Sequence, residues 1–161
     1  MTSAERQTLI TQYKAGYDEV VRALAGIGPD ERDWRPAPGE WSAREVVHHL
    51  ADSETIAGIR LRRLLIEHDP VIQGYDEAGY ARHFRYQGRP WEPALRAFEA
   101  ARSTTAQLLE AMTEADWRRT GTHTESGPYS TEGWLRIYAA HGHVHAEQIR
   151  NNRAAWATRP R

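Results

Sequence analysis

The chain contains no cysteine, which removes disulfides, thiolate metal sites and a cysteine nucleophile together. Any metal must then be held by nitrogen and oxygen, and any sulfur chemistry needs a thiol from outside. An excess of one charge is also missing. Lys+Arg 21 stands against Asp+Glu 22, a formal net charge of −1 over 161 residues. A dedicated nucleic-acid binder would carry a basic surplus on one face, so that class is set aside. The sequence has no N-terminal apolar segment of signal-peptide type and no apolar run of bilayer length. The expectation is a soluble, cytoplasmic protein with no membrane partner. Phenylalanine is scarce, two against six Trp and seven Tyr. Rings with polar edges suit a partly wet cavity or the ends of helices.

No run alternates with β-branched residues, so no sheet is predicted. Four long segments instead carry the i, i+3, i+4 spacing of amphipathic helices. The first covers 4–25, with Leu9, Ile10, Tyr13, Tyr17, Val20, Val21 and Leu24 on its stripe, and Gly26-Ile-Gly-Pro29 closes it. A Pro-rich linker, Asp33 to Trp41, follows. Ser42-Ala-Arg-Glu45 matches a capping box and starts the second helix, which runs to Glu67. Residues 69–92 are broken by Gly74, Gly79, Gly88 and Pro90, with a short helix over 76–84. The third long helix begins between Pro90 and Pro93 and ends at Ala111 or Met112. Gly121 to Tyr129 reads as a polar turn region, and Ser130 or Thr131 caps the last helix, which reaches Asn152 or slightly beyond. The whole, 1–161, is expected to be a single all-α four-helix bundle domain.

Chemistry concentrates in Tyr138-Ala-Ala-His141-Gly-His143-Val-His145-Ala-Glu-Gln148-Ile149. At roughly 100° per residue, His141 and His145 project about 40° apart on the side of Trp134, Tyr138, Gln148 and Ile149. Bare imidazoles on a core-facing stripe are costly unless satisfied. A metal ion satisfies both, because i and i+4 side chains converge on one point; two buried histidines bonded to carbonyls are the alternative. A catalytic three-histidine site needs one more imidazole from another helix. His49 borders the stripe Val46, Leu50, Ala57, Leu61 and Leu64, whereas His48 points away from it. Asp52, one turn on, is placed to orient a ligand imidazole. His48, His68, His83, His123 and His143 read as surface residues, and Arg60, Arg62 and Arg63 as a solvated face. Trp134 and Tyr138 share the inward face, where core packing or cavity lining both suit them. Arg82, Arg85 and Tyr86 in the broken stretch could meet a carboxylate, although a solvated loop explains them as well.

Trp34-Arg-Pro-Ala-Pro-Gly-Glu-Trp41-Ser42, His49-Leu-Ala-Asp52-Ser-Glu54 and His141-Gly-His-Val-His145-Ala-Glu-Gln148-Ile149, in this order and spacing, resemble the DinB/YfiT-like family of metalloenzymes. The resemblance covers nearly the whole chain. It implies up-down-down-up connectivity with a long crossover after the second helix. It also implies a divalent metal bound by His49, His141 and His145, and a homodimer formed through helix faces. Gln148 belongs to the matching motif and could hydrogen-bond near the metal. Three neutral imidazoles leave an open coordination position. Zinc suits such donors, and nickel, manganese and iron accept the same ligand type. Characterised relatives use a low-molecular-weight thiol, as S-transferases of bacillithiol, mycothiol or glutathione and as a mycothiol-dependent isomerase. The function implied is a metal-dependent transfer of such a thiol to an electrophilic small molecule. A thiol-independent metal hydrolase or isomerase, and a non-catalytic metal-binding, stress-related bundle, are the alternatives.

Overall fold

The computed structural model describes residues 1–160 and is built on four long helices. These are α1 (Ser3–Leu24), α3 (Ala43–Ile66), α5 (Glu92–Ala111) and α7 (Thr131–Thr158). Short helices α2 (Pro29–Asp33), α4 (Glu77–His83) and α6 (Glu114–Trp117) lie in the connections. Local chemistry sets the helix starts. Thr2 with Glu5 and Ser42 with Glu45 form reciprocal capping boxes, and the Ser130 hydroxyl accepts from the Gly133 amide. The last helix continues beyond Asn152 to Thr158.

Contacts between helices give their directions. The amino terminus meets Glu132 at 3.2 Å and Arg153 donates to the Ala23 carbonyl at 2.8 Å, so α1 and α7 run parallel. Glu54 pairs with Arg102 at 2.6 Å, and a Cβ on Gly58 would lie 3.1 Å from Thr105 Oγ1, so α3 and α5 are parallel too. Lys14–Glu110 at 2.6 Å with Tyr17 on Phe98 at 5.7 Å makes α1 antiparallel to α5. Arg60 donating to the Tyr138 hydroxyl at 3.1 Å with His49 beside His145 at 4.7 Å makes α3 antiparallel to α7. The connectivity is therefore up-down-down-up. The parallel pair α3 and α5 is possible because residues 67–91 form a long crossover.

A small sheet corrects the expectation of none. Strand β1 (Val71–Ile72) pairs in parallel with β2 (Thr120–His123), and β2 pairs antiparallel with β3 (Gly127–Ser130). The polar turn region expected over 121–129 is thus a hairpin. Strands of two to four residues containing Gly and Pro are too short to show alternation. Gly121 is needed because a Cβ there would sit 2.5 Å from the carbonyl oxygen of Pro70, the residue just before β1. Arg119, just before β2, donates to the carbonyls of Leu64 and Glu67 and so satisfies the end of α3.

The apolar core falls into two clusters. One gathers Tyr13, Leu61, Leu64, Leu109, Trp134 and Leu135. The other gathers Val20, Val46, Leu50, Phe98, Ala146 and Ile149. Between them lies a polar layer, Glu54 on α3, Arg102 on α5 and His141 on α7, with Gly16 on α1 leaving room for the guanidinium.

Candidate metal centre

The polar layer brings His49, from α3, against His141 and His145, from α7. Ring centroids lie 5.4 Å apart for His49 and His141, and 4.7 Å apart for each of the other two pairs. One ligand atom from each histidine lies within 4.8 Å of the others, and the group could hold a metal ion. Helical spacing supplies the α7 pair, and the antiparallel crossing of α3 supplies the third ring.

Hydrogen bonds decide which nitrogens face inward. His141 Nδ1 lies 3.0 Å from Glu54 Oε1 and His145 Nδ1 lies 2.8 Å from Gln148 Oε1. A carboxylate can only accept, so the His141 proton sits on Nδ1 and leaves a lone pair on Nε2. Nε2 of His49 and Nε2 of His141 face each other at 3.3 Å. In the metal-free protein a proton on His49 Nε2 can bridge that gap as a hydrogen bond to the His141 lone pair, and a divalent ion in the proton's place would be bound by both nitrogens. Tetrahedral zinc with Zn–N bonds of roughly 2.0–2.1 Å needs an N···N edge of about 3.3–3.4 Å. The donor set therefore fits a divalent ion.

The electrostatics favour the ligating form. Burial, followed by the neighbouring His145 and His141, lowers the His49 pKa to about 2. Burial and His141 lower that of His145 to about 4. Both rings are therefore neutral at pH 7 in the metal-free protein, which is the state a metal requires.

The surroundings differ from the sequence expectations in several places. Asp52 does not reach a ligand imidazole; it accepts from the Tyr86 hydroxyl on the crossover. Asp52 lies three residues after His49, so it faces the crossover, while Glu54 faces α5 and α7 and backs His141. Glu54 is absent from the sequence expectations, although a carboxylate at the centre of the stripe Leu50, Glu54, Ala57 and Leu61 is a signal for it. Burial also overturns two surface assignments. His48 is buried, stacked on Tyr86 at 5.3 Å, and His123 is buried beside Tyr129 at 5.5 Å, covered by the crossover and hairpin respectively. Arg60 is not simply solvated, since it donates to Tyr138 and to the Gln73 carbonyl. Trp134 is core, its Nε1 donating to the Ala57 carbonyl at 2.8 Å. Arg82 and Arg85 are exposed, and Tyr86 is buried.

The linker covers one side of the triad. Trp41 places its ring 4.8 Å from that of His49, and its carbonyl accepts from Asn152 of α7 at 2.8 Å. Clefts open on both flanks of this linker. One, of about 250 Å³, is lined by Arg35, Glu40, Trp41, Ala78 and Arg82. The other, of about 520 Å³, is lined by Pro36, Glu40, Val144, Gln148 and Asn152. The first touches the residue over His49 and the second touches the residue that holds His145.

Comparison with known proteins adds to this geometry. The family model of the DinB superfamily matches residues 12–149, a span that includes all three imidazoles. A protein of Oceanobacillus iheyensis, provisionally named a metal-dependent hydrolase, is 40% identical over 123 residues, 76% of this chain and 71% of its own length. A Geobacillus kaustophilus protein with the same kind of name is 28% identical over 148 residues, 91% of this chain and 83% of its own. Among solved structures, YfiT from Bacillus subtilis is provisionally described as a metal-dependent hydrolase with an unusual four-helix bundle topology. It aligns with a TM-score of 0.90 at 23% identity, over 98% of this chain and 90% of that one. At that identity the likeness speaks for the fold.

Proposed function

The chain belongs to the DinB superfamily, and from that premise we propose a metal-dependent enzyme in which His49, His141 and His145 hold a divalent cation. Its reaction is transfer of an external low-molecular-weight thiol to an electrophilic small molecule. The observation that carries the metal reading is the inward convergence of three imidazoles, two of them backed by acceptors on Nδ1. A cation held there supplies Lewis acidity, lowering the pKa of a bound thiol or water and polarising a carbonyl.

The chain's own residues do the rest. Glu54 and Gln148 keep the α7 rings in their ligating tautomer and orientation. Trp41 closes the linker side of His49 against water. With no cysteine in the sequence, the sulfur nucleophile arrives with the cosubstrate. The names of the relatives favour a second reading, in which water takes the place of the thiol and the reaction is a hydrolysis.

One assay separates the two. Metal-loaded protein is offered chlorodinitrobenzene with bacillithiol, mycothiol or glutathione, and in parallel a panel of activated esters and amides without thiol. Metal-dependent conjugation lost in His141→Ala supports thiol transfer; metal-dependent cleavage without thiol supports hydrolysis. If neither occurs and His141→Ala matches the wild type, the enzymatic reading is wrong.

A further inference from the structure

We propose that Arg102 is a positioning residue for the metal centre, acting on His141 through the buried carboxylate of Glu54. The inference rests on the metal reading above but concerns a residue that reading does not use.

Glu54 and Arg102 occupy the apolar stripes of α3 and α5, with side-chain exposures of 0% and 3%. One carboxylate oxygen is shared. Glu54 Oε1 accepts from Arg102 Nη1 at 2.6 Å and lies 3.0 Å from His141 Nδ1. The other oxygen, Oε2, accepts only a longer bond from the Tyr13 hydroxyl, at 3.3 Å. The guanidinium is itself held by backbone. Nη1 also reaches the Tyr138 carbonyl at 3.3 Å, and Nη2 donates to the Tyr13 carbonyl. Gly16 makes the room, because a Cβ there would lie 2.6 Å from Nη2.

A buried ion pair is a poor device for stability, since apolar residues of similar volume often serve as well or better. The shared oxygen gives this pair a different role. Oε1 cannot follow or release the His141 ring without stretching the shorter, charge-assisted bond to Arg102. Without the guanidinium, Glu54 would be steadied only by Tyr13, and the His141 ring could turn with it. His145 has no such arrangement, being backed by the neutral amide of Gln148. The two imidazoles of α7 are thus held unequally, and Arg102 governs one of them.

The test uses the full chain, with zinc as the probe. Two quantities are read: the zinc dissociation constant by chelator competition, and the His141 Nδ1 proton resonance in metal-free, ¹⁵N-labelled protein. Arg102→Met should weaken zinc by about tenfold or more and abolish the Nδ1 proton signal. In a Glu54→Gln background the same change should alter zinc affinity by less than about twofold, since the coupling runs through the carboxylate. Arg102→Lys keeps a charge but loses the fork geometry, and should retain the Nδ1 signal with an intermediate affinity. An equal loss of affinity in both backgrounds, or an unchanged Nδ1 signal in Arg102→Met, overturns the proposal. If Arg102→Met does not fold, Gly16→Ala, which displaces the guanidinium without removing it, must lose the Nδ1 signal. Should the wild type bind no zinc, the metal reading fails, while the metal-free resonance still decides the role of Arg102.

Discussion

Gly142 on α7 packs directly against the backbone of Gly16 on α1. A Cβ on Gly142 would lie 2.9 Å from the Gly16 carbonyl oxygen and 3.0 Å from its Cα. The glycine beside His141 thus sets the spacing of the parallel helices at the level of the polar layer. Gly142→Ala must push α7 outward, because backbone atoms cannot turn aside as a side chain can. Overpacking of this kind costs roughly 1–3 kcal/mol. Thermal unfolding should show a midpoint lower by about 2–12 °C for a chain of this size. The same shift displaces His141 relative to His49 on α3, so zinc affinity should fall together with stability. A variant that keeps both would show that the close approach matters to neither.

Acid should weaken the metal-free fold in a defined window. Burial lowers the pKa of His49 to about 2 and that of His145 to about 4, and it lowers that of His48 as well. Unfolded, each ring would titrate near 6.5. Below that value the unfolded chain binds protons that the folded chain refuses, so stability falls with pH. The loss begins near pH 6.5 and continues to about pH 4 for His145, and lower for His49. Each imidazole contributes a slope of at most about 1.4 kcal/mol per pH unit. Asp33, held low by Arg44 and Arg32, begins to lose its contribution as pH falls toward the ordinary Asp value, so the histidine decline is read above about pH 5. Denaturant titrations at pH 7, 6 and 5 should show this decline, and His49→Gln should flatten it. A stability that is level from pH 7 to 5 contradicts the burial of these rings.

Particular residues explain how far the sequence could be read. The bundle was legible because its signals are long: four stripes of period 3.6, two capping motifs, and Gly and Pro at the breaks. His141 and His145 share one face by spacing alone, and the stripe on α3 brings His49 to its border. The sheet was invisible because Val71–Ile72 joins Thr120–His123 across about fifty intervening residues, in strands too short for a pattern. Glu54 and Arg102 are hard to read from sequence for another reason. Each breaks its own apolar stripe, and only their pairing across α3 and α5 makes either acceptable in the core. Opposite charges centred on two stripes are a readable signal once both helices are considered together. Asp52 looked better placed because it lies one turn from His49, but that turn faces the crossover and Tyr86.

Arg119 provides a structural change remote from the triad. Its guanidinium donates to the carbonyls of Leu64 and Glu67, closing α3 against the hairpin. Arg119→Ala leaves those acceptors without that donor, which should cost about 1–3 kcal/mol. Zinc affinity should remain at the wild-type value, since the polar layer lies on the other side of the apolar cluster around Leu61 and Leu64. Chemical denaturation and zinc titration on one preparation check both halves. A fall in zinc affinity without a fall in stability would reveal a link between the hairpin and the metal centre that the packing does not contain.

Metal should stabilise the fold in proportion to its occupancy, because the unfolded chain does not bring the three rings together. At a free zinc concentration one hundred times the dissociation constant, the gain is about 2.7 kcal/mol. For a chain of this size that raises the unfolding midpoint by roughly 5–11 °C. His49→Gln, His141→Gln and His145→Gln should each reduce the gain to near zero at the same zinc concentration, since two imidazoles hold the ion far less well than three. His143→Gln is the matched control. Its ring lies on the same helix but hydrogen-bonds to the Gln12 carbonyl at 2.9 Å, away from the triad, so its zinc response should equal that of the wild type. Chelator should abolish the gain in the wild type and change nothing in the triad variants. If His143→Gln loses the response while His141→Gln keeps it, the ion is held on the opposite face of α7 and the proposed ligand set is wrong.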